Sequence, residues 1–442
     1  MKVIVTLVLA QTFLATAQTC SGGYSGTPGD SSWLKFINCG KKTSPSSNTQ
    51  FASQCSSSSQ PNNWPNAGPY SFPSDLDTGY GPKLSQDQVY AILSLVWTAE
   101  NGGDDFKGII PWWKAYSYIQ NIGDDRGYTT NIVGFCTGTG DDVLFLKNLK
   151  KIEPCNPLVQ YIPDIQALST KGSDALTGLE GFAMKVLNQG GGPTGSGPIN
   201  PNYIKATWAT LSDENSDGGG YWGMAMKTSR KYNLALPISK GQLYDIALNN
   251  GNVDDVIKKV TVRPPTAGES GGAQEVAWLA ALQKVWIKII SDPTNQLDGG
   301  QNDRGVMWQH LLDPKSTAKN SQGQVGATNT VPLLQLELPM TVHIYGATIT
   351  IQSAGGSKPT PSTSPVVRPT PSPSQKPTPS SSTKPTPSPS KSPTKAPTTK
   401  PSPAGGGCGD CSNCYYAPTQ ACFVGWTQAQ CDSVAAYTWC GN

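Results

Sequence analysis

The sequence predicts a mainly α core of two lobes with a small β part, followed by a separate, small, disulfide-rich module at the C-terminus. Three observations predict this. Apolar residues recur at helical spacing in many segments between residues 85 and 291, whereas β-branched runs are confined to 128–135 and 331–352. A Pro, Ser, Thr and Lys stretch at 354–403 cannot bury a core and prefers extended polyproline geometry, so it acts as a semi-rigid spacer. The tail beyond it holds six cysteines and is too small to stand on an apolar core, so bridges must hold it.

Taken in order, residues 1–17 carry an early Lys, an apolar run and a closing Ala15-Thr16-Ala17, the pattern of a secretory signal peptide. Export makes the eleven cysteines candidates for disulfides; five precede the spacer, which leaves at least one thiol over. No stretch of the mature chain approaches a membrane span. Residues 18–83, rich in Ser, Asn, Gly and Pro with three cysteines, read as an extension lying on the core and pinned by disulfides. The core runs over 84–353 and the tail over 404–442. Charge is uneven: residues 18–353 carry 25 basic against 28 acidic side chains, a balance of −3. A mildly acidic core argues against a nucleic-acid binder and suits a cationic ligand.

The clearest helix begins at Ser85-Gln86-Asp87-Gln88, a capping box, and continues with Val89, Ile92, Leu93, Val96 and Trp97. Glu100, eleven residues after Val89, falls on the same apolar face, where desolvation raises a carboxyl pKa; Asn101-Gly102-Gly103 ends the helix. A second helix is expected from Pro111 to Gly123, then a strand over 128–135. Further helices are expected at 143–150, 158–168, 174–188, 202–210, 238–249 and 273–291, with a β-rich close at 331–352. The run Gly190–Gly197 lacks the order of a phosphate loop and reads as a connection.

Cleaving a glycosidic bond needs a protonated acid at the leaving oxygen and an ionised carboxylate on the other side of the sugar. Glu100 is placed to keep its proton, whereas Asp124, in a polar Gly-Asp-Asp-Arg-Gly loop beside Arg126, should lose its own. Thr129 offers a hydroxyl near that loop that could hold a water. Against this, Asp pairs in Gly loops commonly do no more than form turns.

Glu100-Asn101, Tyr116, Asp124-x-Arg126-Gly127-x-Thr129, Val133-Gly134 and Asp141 follow one another in an order and spacing that resembles the glycoside hydrolase family 46 chitosanases. IGDDRGYTTNIVGFCTGTGD carries most of the likeness; IEPCN at 152–156 and YIP at 161–163 continue it, with echoes at Tyr244-Asp245-Ile246, Asp303-Arg304 and Tyr345-Gly346. The resemblance implies a two-lobed, lysozyme-like catalytic domain that cleaves β-1,4-linked glucosamine polymers internally with inversion. It implies Glu100 as general acid, Asp124 as base and Thr129 as holder of the attacking water. It makes Tyr118, Arg126 and Asp141 sugar contacts, Asp141 for a glucosamine ammonium, and Asp245 and Arg304 parts of a charge network behind the acid.

Three departures bear on these expectations. The family's arginine in the helix at 273–291 is missing, which leaves Lys284 or Lys288 as substitutes. The connection GGDDFKGIIPWW is longer than usual. Cys155 replaces a family glycine, so it pairs either with Cys136 or with a cysteine of the extension. Asp104, Asp105, Asp125 and Asp142 read as solvated turn residues, and His310 and His343 as structural. The tail's surplus aromatics make Tyr415, Tyr416, Trp426 and Trp439 candidates for stacking on sugar rings, which resembles a carbohydrate-binding module.

The expected protein is thus a secreted, monomeric chitosanase acting on chitosan or a related β-glycan, with no cofactor, metal, nucleic acid or membrane partner. The competing readings are the same fold acting on chitin or peptidoglycan, and a non-catalytic polysaccharide- or cell-wall-binding protein.

Overall fold

The computed structural model describes residues 49–55, 63–101, 111–120, 126–170, 179–192, 194–216, 219–295 and 300–354, with short pieces of the tail between 408 and 441. The expected signal peptide, most of the extension up to residue 62, the spacer, Trp426 and Asp124 lie outside the described residues.

The helices are α1 (Thr49–Cys55), α2 (Gln86–Asn101), α3 (Asp141–Ile152), α4 (Ile162–Ser169), α5 (Glu180–Gln189), α6 (Pro201–Leu211), α7 (Tyr221–Lys231), α8 (Pro237–Asn250), α9 (Asp254–Ile257), α10 (Ala273–Ile290) and α11 (Asp303–Leu312). A small antiparallel sheet β1-β2-β3 (Ile119–Gln120, Thr129–Thr130, Phe135–Cys136) and a hairpin of β4 (Met340–Ile344) and β5 (Ala347–Ile351) complete the core region.

Helix α2 starts as its sequence dictates. The Ser85 backbone N–H donates to Gln88 Oε1 at 2.9 Å, and the Gln88 N–H donates back to Ser85 Oγ at 3.2 Å, the reciprocal capping box. The helix is not one-faced, however: every residue from Val89 to Ala99 is buried. A helix apolar on all sides belongs inside the molecule, so α2 is a central rod and Glu100 is the first side chain past its buried stretch. Trp112, Trp208, Trp222, Trp278, Trp286 and Trp308 are fully buried in the same core.

The segment 63–84 is built into this core. Phe72 and Leu76 are buried, the Tyr116 hydroxyl donates to the Ser71 carbonyl, and Trp222 Nε1 donates to the Leu76 carbonyl at 2.8 Å. Asp77 and Lys240 of α8 form an ion pair at 2.7 Å with both side chains buried. Upstream, Cys155 pairs with Cys55 of α1 across 100 residues of sequence, while Cys136 stays a buried thiol. Closing so long a loop restricts the unfolded chain, so Cys155→Ser should lower stability by about 2–4 kcal/mol in urea unfolding.

The expected helix from Pro111 to Gly123 is not formed. A 3₁₀ turn spans Trp112–Ser117, and the chain then enters β1, where Ile119 pairs with Thr130. A partner strand ten residues away overrides the local helical pattern. The expected single strand over 128–135 is two short strands around a turn, with Asn131 at φ 69° and Gly134 at φ 76°. Gly190 opens the glycine-rich connection against the 3₁₀ turn, where a Cβ would stand 2.3 Å from the Tyr116 carbonyl oxygen.

Candidate active site

Glu100 stands where α2 leaves the core, 35% exposed, and accepts from Nη2 of the buried Arg304 at the start of α11. It lines a small cleft with Leu93, Val96, Trp97, Trp112, Ile132 and Tyr244 among its walls. The expectation of a carboxyl on a wholly apolar face is therefore met only in part.

Behind the pair, Arg304 Nη2 lies 3.8 Å from Oδ1 of buried Asp245 on α8, and Asp245 Oδ2 accepts from Trp308 Nε1 at 3.0 Å. Lys284 and Lys288 do not join this network; both sit on the exposed face of α10. On the inner face of α10 Gln283 is buried, donating to Gln242 Oε1 at 3.3 Å and to the Trp308 carbonyl at 3.1 Å. A neutral amide and an indole thus stand behind Asp245 and Arg304, which spares the core a further buried charge.

A clasp unforeseen from the sequence closes on this pair. Asp303, next to Arg304, accepts the Tyr345 backbone N–H at 2.8 Å, and the Tyr345 hydroxyl donates to the carbonyl of Ala99, next to Glu100, at 3.0 Å. Ser321 also donates to Asp303. The turn between β4 and β5 therefore grips both chains that carry the acid and its partner. Its only trace in the sequence is Tyr345-Gly346, with Tyr345 at φ 48° and Gly346 at φ 84° to make the turn.

The second element of the site is the β2–β3 hairpin. Ile132, in its turn, lines the cleft that Glu100 lines, so hairpin and acid share one cavity. Thr129 is half-buried with Oγ1 3.5 Å from Cys136 Sγ, Arg126 is exposed at the hairpin's entry, and Tyr118 is buried, its carbonyl accepting from Asn131 N at 2.9 Å. Half-buried Asp141 accepts from the Thr139 hydroxyl at 2.6 Å and the Cys136 N–H at 2.9 Å. Burial pushes its carboxyl up from the ordinary value, against these hydrogen bonds.

Asp142 is not a solvated turn residue. It is fully buried, its Oδ1 lies 2.9 Å from Thr130 Oγ1, and burial pushes its carboxyl up to about 8. A short polar side chain can be read as surface, but helix phase turns this one inward against α6. Asp104, Asp105 and Asp125 lie outside the described residues. Both histidines make structural contacts: buried His310 takes the Gly326 N–H at Nδ1 (3.2 Å), and His343 sits between Thr328 and Thr348 hydroxyls. Among the described residues, no three His, Cys, Asp or Glu side chains gather as metal ligands do, and no helix is long and apolar enough to cross a membrane.

In the tail, three strands pair antiparallel in the order β7-β6-β8: β6 (Cys414–Tyr416) lies between β7 (Ala421–Phe423) and β8 (Tyr437–Trp439), and Cys408 pairs with Cys440. Register sets Cys414 opposite Trp439 and Tyr415 opposite Thr438. Tyr415 and Trp439 therefore lie on opposite faces of the sheet and cannot form one stacking platform.

Residues 94–313 match the profile of glycosyl hydrolase family 46. Over those residues, just under half of the chain, the protein resembles that family. A chitosanase of Bacillus subtilis (strain 168) is 25% identical over 224 residues, half of this chain and 73% of that protein. A chitosanase of Streptomyces sp. (strain N174) is 42% identical over 88 residues, 20% of this chain and 28% of that protein. Among solved structures, a variant chitosanase from Bacillus subtilis MY002 complexed with 6 GlcN aligns at 21% identity and TM-score 0.43, over 61% of this chain and all of that one. The mainly α core with its small sheet is the two-lobed, lysozyme-like class that the resemblance to family 46 implies. The profile stops at residue 313, so the Tyr345 clasp lies beyond the matched region.

Proposed function

We propose that residues 84–353 form a secreted endo-acting chitosanase that hydrolyses β-1,4 linkages between glucosamine units with inversion. One observation carries the reading: Glu100 and the hairpin that bears Thr129 face the same cleft. In this reading Glu100 protonates the leaving oxygen while Asp124, two residues before the hairpin's entry at Arg126, takes a proton from a water held by Thr129. The water's oxygen bonds to the anomeric carbon from the face opposite the leaving group, so a β linkage yields an α product. Arg304, anchored by Asp245, fixes the Glu100 carboxyl and spares it a search among rotamers. Asp141, Arg126 and Tyr118 are the sugar contacts, Asp141 supplying negative charge for an ammonium group. The curated relatives' names, both chitosanases, support this substrate.

Reducing-end release measured side by side on chitosan, chitin and bacterial cell wall should be greatest on chitosan. Greater release from either acetylated polymer would favour the same fold with another substrate. Proton NMR at early times should show the α-anomer, and an initial β-anomer would contradict inversion.

The tail is proposed to hold the enzyme on polymer through single rings, since Tyr415 and Trp439 do not share a face. Deleting 404–442 should weaken adsorption to insoluble polymer and leave turnover of short soluble chains unchanged.

A further inference from the structure

We propose that Asp142 keeps its proton in the folded protein and, donating to Thr130, positions the hairpin that carries Thr129. Thr130 Oγ1 lies 2.9 Å from Asp142 Oδ1 and 3.3 Å from the Phe135 carbonyl oxygen. A threonine hydroxyl has one hydrogen and a carbonyl only accepts. Both bonds form together only if the carboxyl supplies the other hydrogen, giving a chain from Asp142 O–H to Thr130 O–H to the Phe135 carbonyl. Thr130 and Phe135 are directly paired across β2 and β3, so the chain closes the hairpin.

The surroundings favour a neutral carboxyl. Asp142 is fully buried, and its Oδ2 has no hydrogen-bond partner among the described residues. Such a site tolerates a neutral acid far better than an anion. The groups that face it are Asp141 on its own helix and the Tyr203 phenol from α6. Of the other elements packed on α3, α4 brings Asp164, the turn Val159–Tyr161 brings Tyr161 and β3 brings Cys136. No Lys, Arg or His is ion-paired with Asp142 among the described residues.

Adjacent carboxyls thus do different work at the start of α3. Asp141 accepts the Cys136 N–H of β3, and Asp142 holds Thr130 of β2. Together they fix both strands of the hairpin to one helix. That this sets Thr129 for catalysis rests on the function proposed above; the protonation state does not.

Infrared difference spectra of wild type against Asp142→Asn near pH 6 should contain the C=O band of a protonated carboxyl, and carboxylate bands there would overturn the proposal. Melting temperature gives a second readout. The folded group titrates at about 8 and the ordinary value is 3.8, so between them the unfolded chain has lost a proton that the folded chain retains. Stability therefore falls as pH rises through that window, and Asp142→Asn removes the dependence. The wild-type melting temperature should drop relative to the variant's between about pH 4 and about pH 8. Parallel profiles, or a gap that moves the other way, would sink the idea.

For the positioning half, amide hydrogen exchange over residues 126–139 near pH 9 should be faster in wild type than in Asp142→Asn. Thr130→Val, which keeps the side-chain shape and removes the hydroxyl, should raise exchange there at every pH. Equal exchange in all three proteins would overturn the positioning role. On chitosan the alkaline limb of the kcat profile should lie at higher pH in Asp142→Asn. Absence of hydrolysis by the wild type would count against the proposed function alone, since the other readouts need no turnover.

Discussion

Glu100→Gln is expected to lower chitosan hydrolysis by about 10²–10⁴-fold with the fold intact, as measured by reducing-end release beside circular dichroism. The amide keeps the carboxyl's shape and can still accept from Arg304, but it has no proton to give to a leaving oxygen. The side chain stands at the mouth of the cleft, outside the packed length of α2, so little core energy is at stake. A non-catalytic wall-binding protein would show no change in any measured property. Arg304→Met separates acid from support. It removes a buried guanidinium that touches Glu100 and lies 3.8 Å from Asp245, so both activity and stability should fall.

The largest stability effect is expected at Asp77. Its carboxylate meets Lys240 Nζ at 2.7 Å inside the protein and also accepts the N–H groups of Gly79 at 2.8 Å and Leu84 at 2.7 Å. Lys240 has one further acceptor, the Pro82 carbonyl at 3.0 Å, and burial pushes its ammonium below the usual lysine value. Asp77→Ala leaves that ammonium buried without its counter-charge and frees two backbone donors, a loss of about 3–5 kcal/mol. Urea unfolding measures it. Replacing both partners, as Asp77→Leu with Lys240→Met, should cost less than Asp77→Ala alone, because no charge is then stranded. Asp77 precedes the family-matched region, so the segment before α2 carries part of the stability of the fold.

How far the fold could be read from the residues varied with how local its causes are. Helix α2 was legible because its capping box and apolar spacing lie within sixteen residues. Helices α7 and α11 were not. In α7 Gly223 breaks the pattern, and its reason is tertiary: a Cβ there would stand 2.5 Å from the Ser212 carbonyl oxygen. In α11 the polar Asp303, Arg304 and His310 are buried, each by partners from other elements. Strand β1 was read as helix because its pairing with Thr130 is invisible to a local window.

The site divides along the same line. Glu100 could be picked out as the polar residue that ends an apolar helix, whereas its contact with Arg304 spans 204 residues and has no local signature. Asp141 and Asp142 look alike in sequence. Their environments differ because Thr130 and Tyr203 meet only the second of them.

The Tyr345 clasp links assembly to order of synthesis. The Ala99 carbonyl that precedes the acid is held from a position 246 residues later, and Asp303 is held by the same turn. A chain emerging from the ribosome carries Glu100 early but lacks the grip on it until the final hairpin has formed. The setting of Glu100 is thus a property of the finished domain, and a prematurely terminated chain that retains the whole family-matched region would still lack that grip.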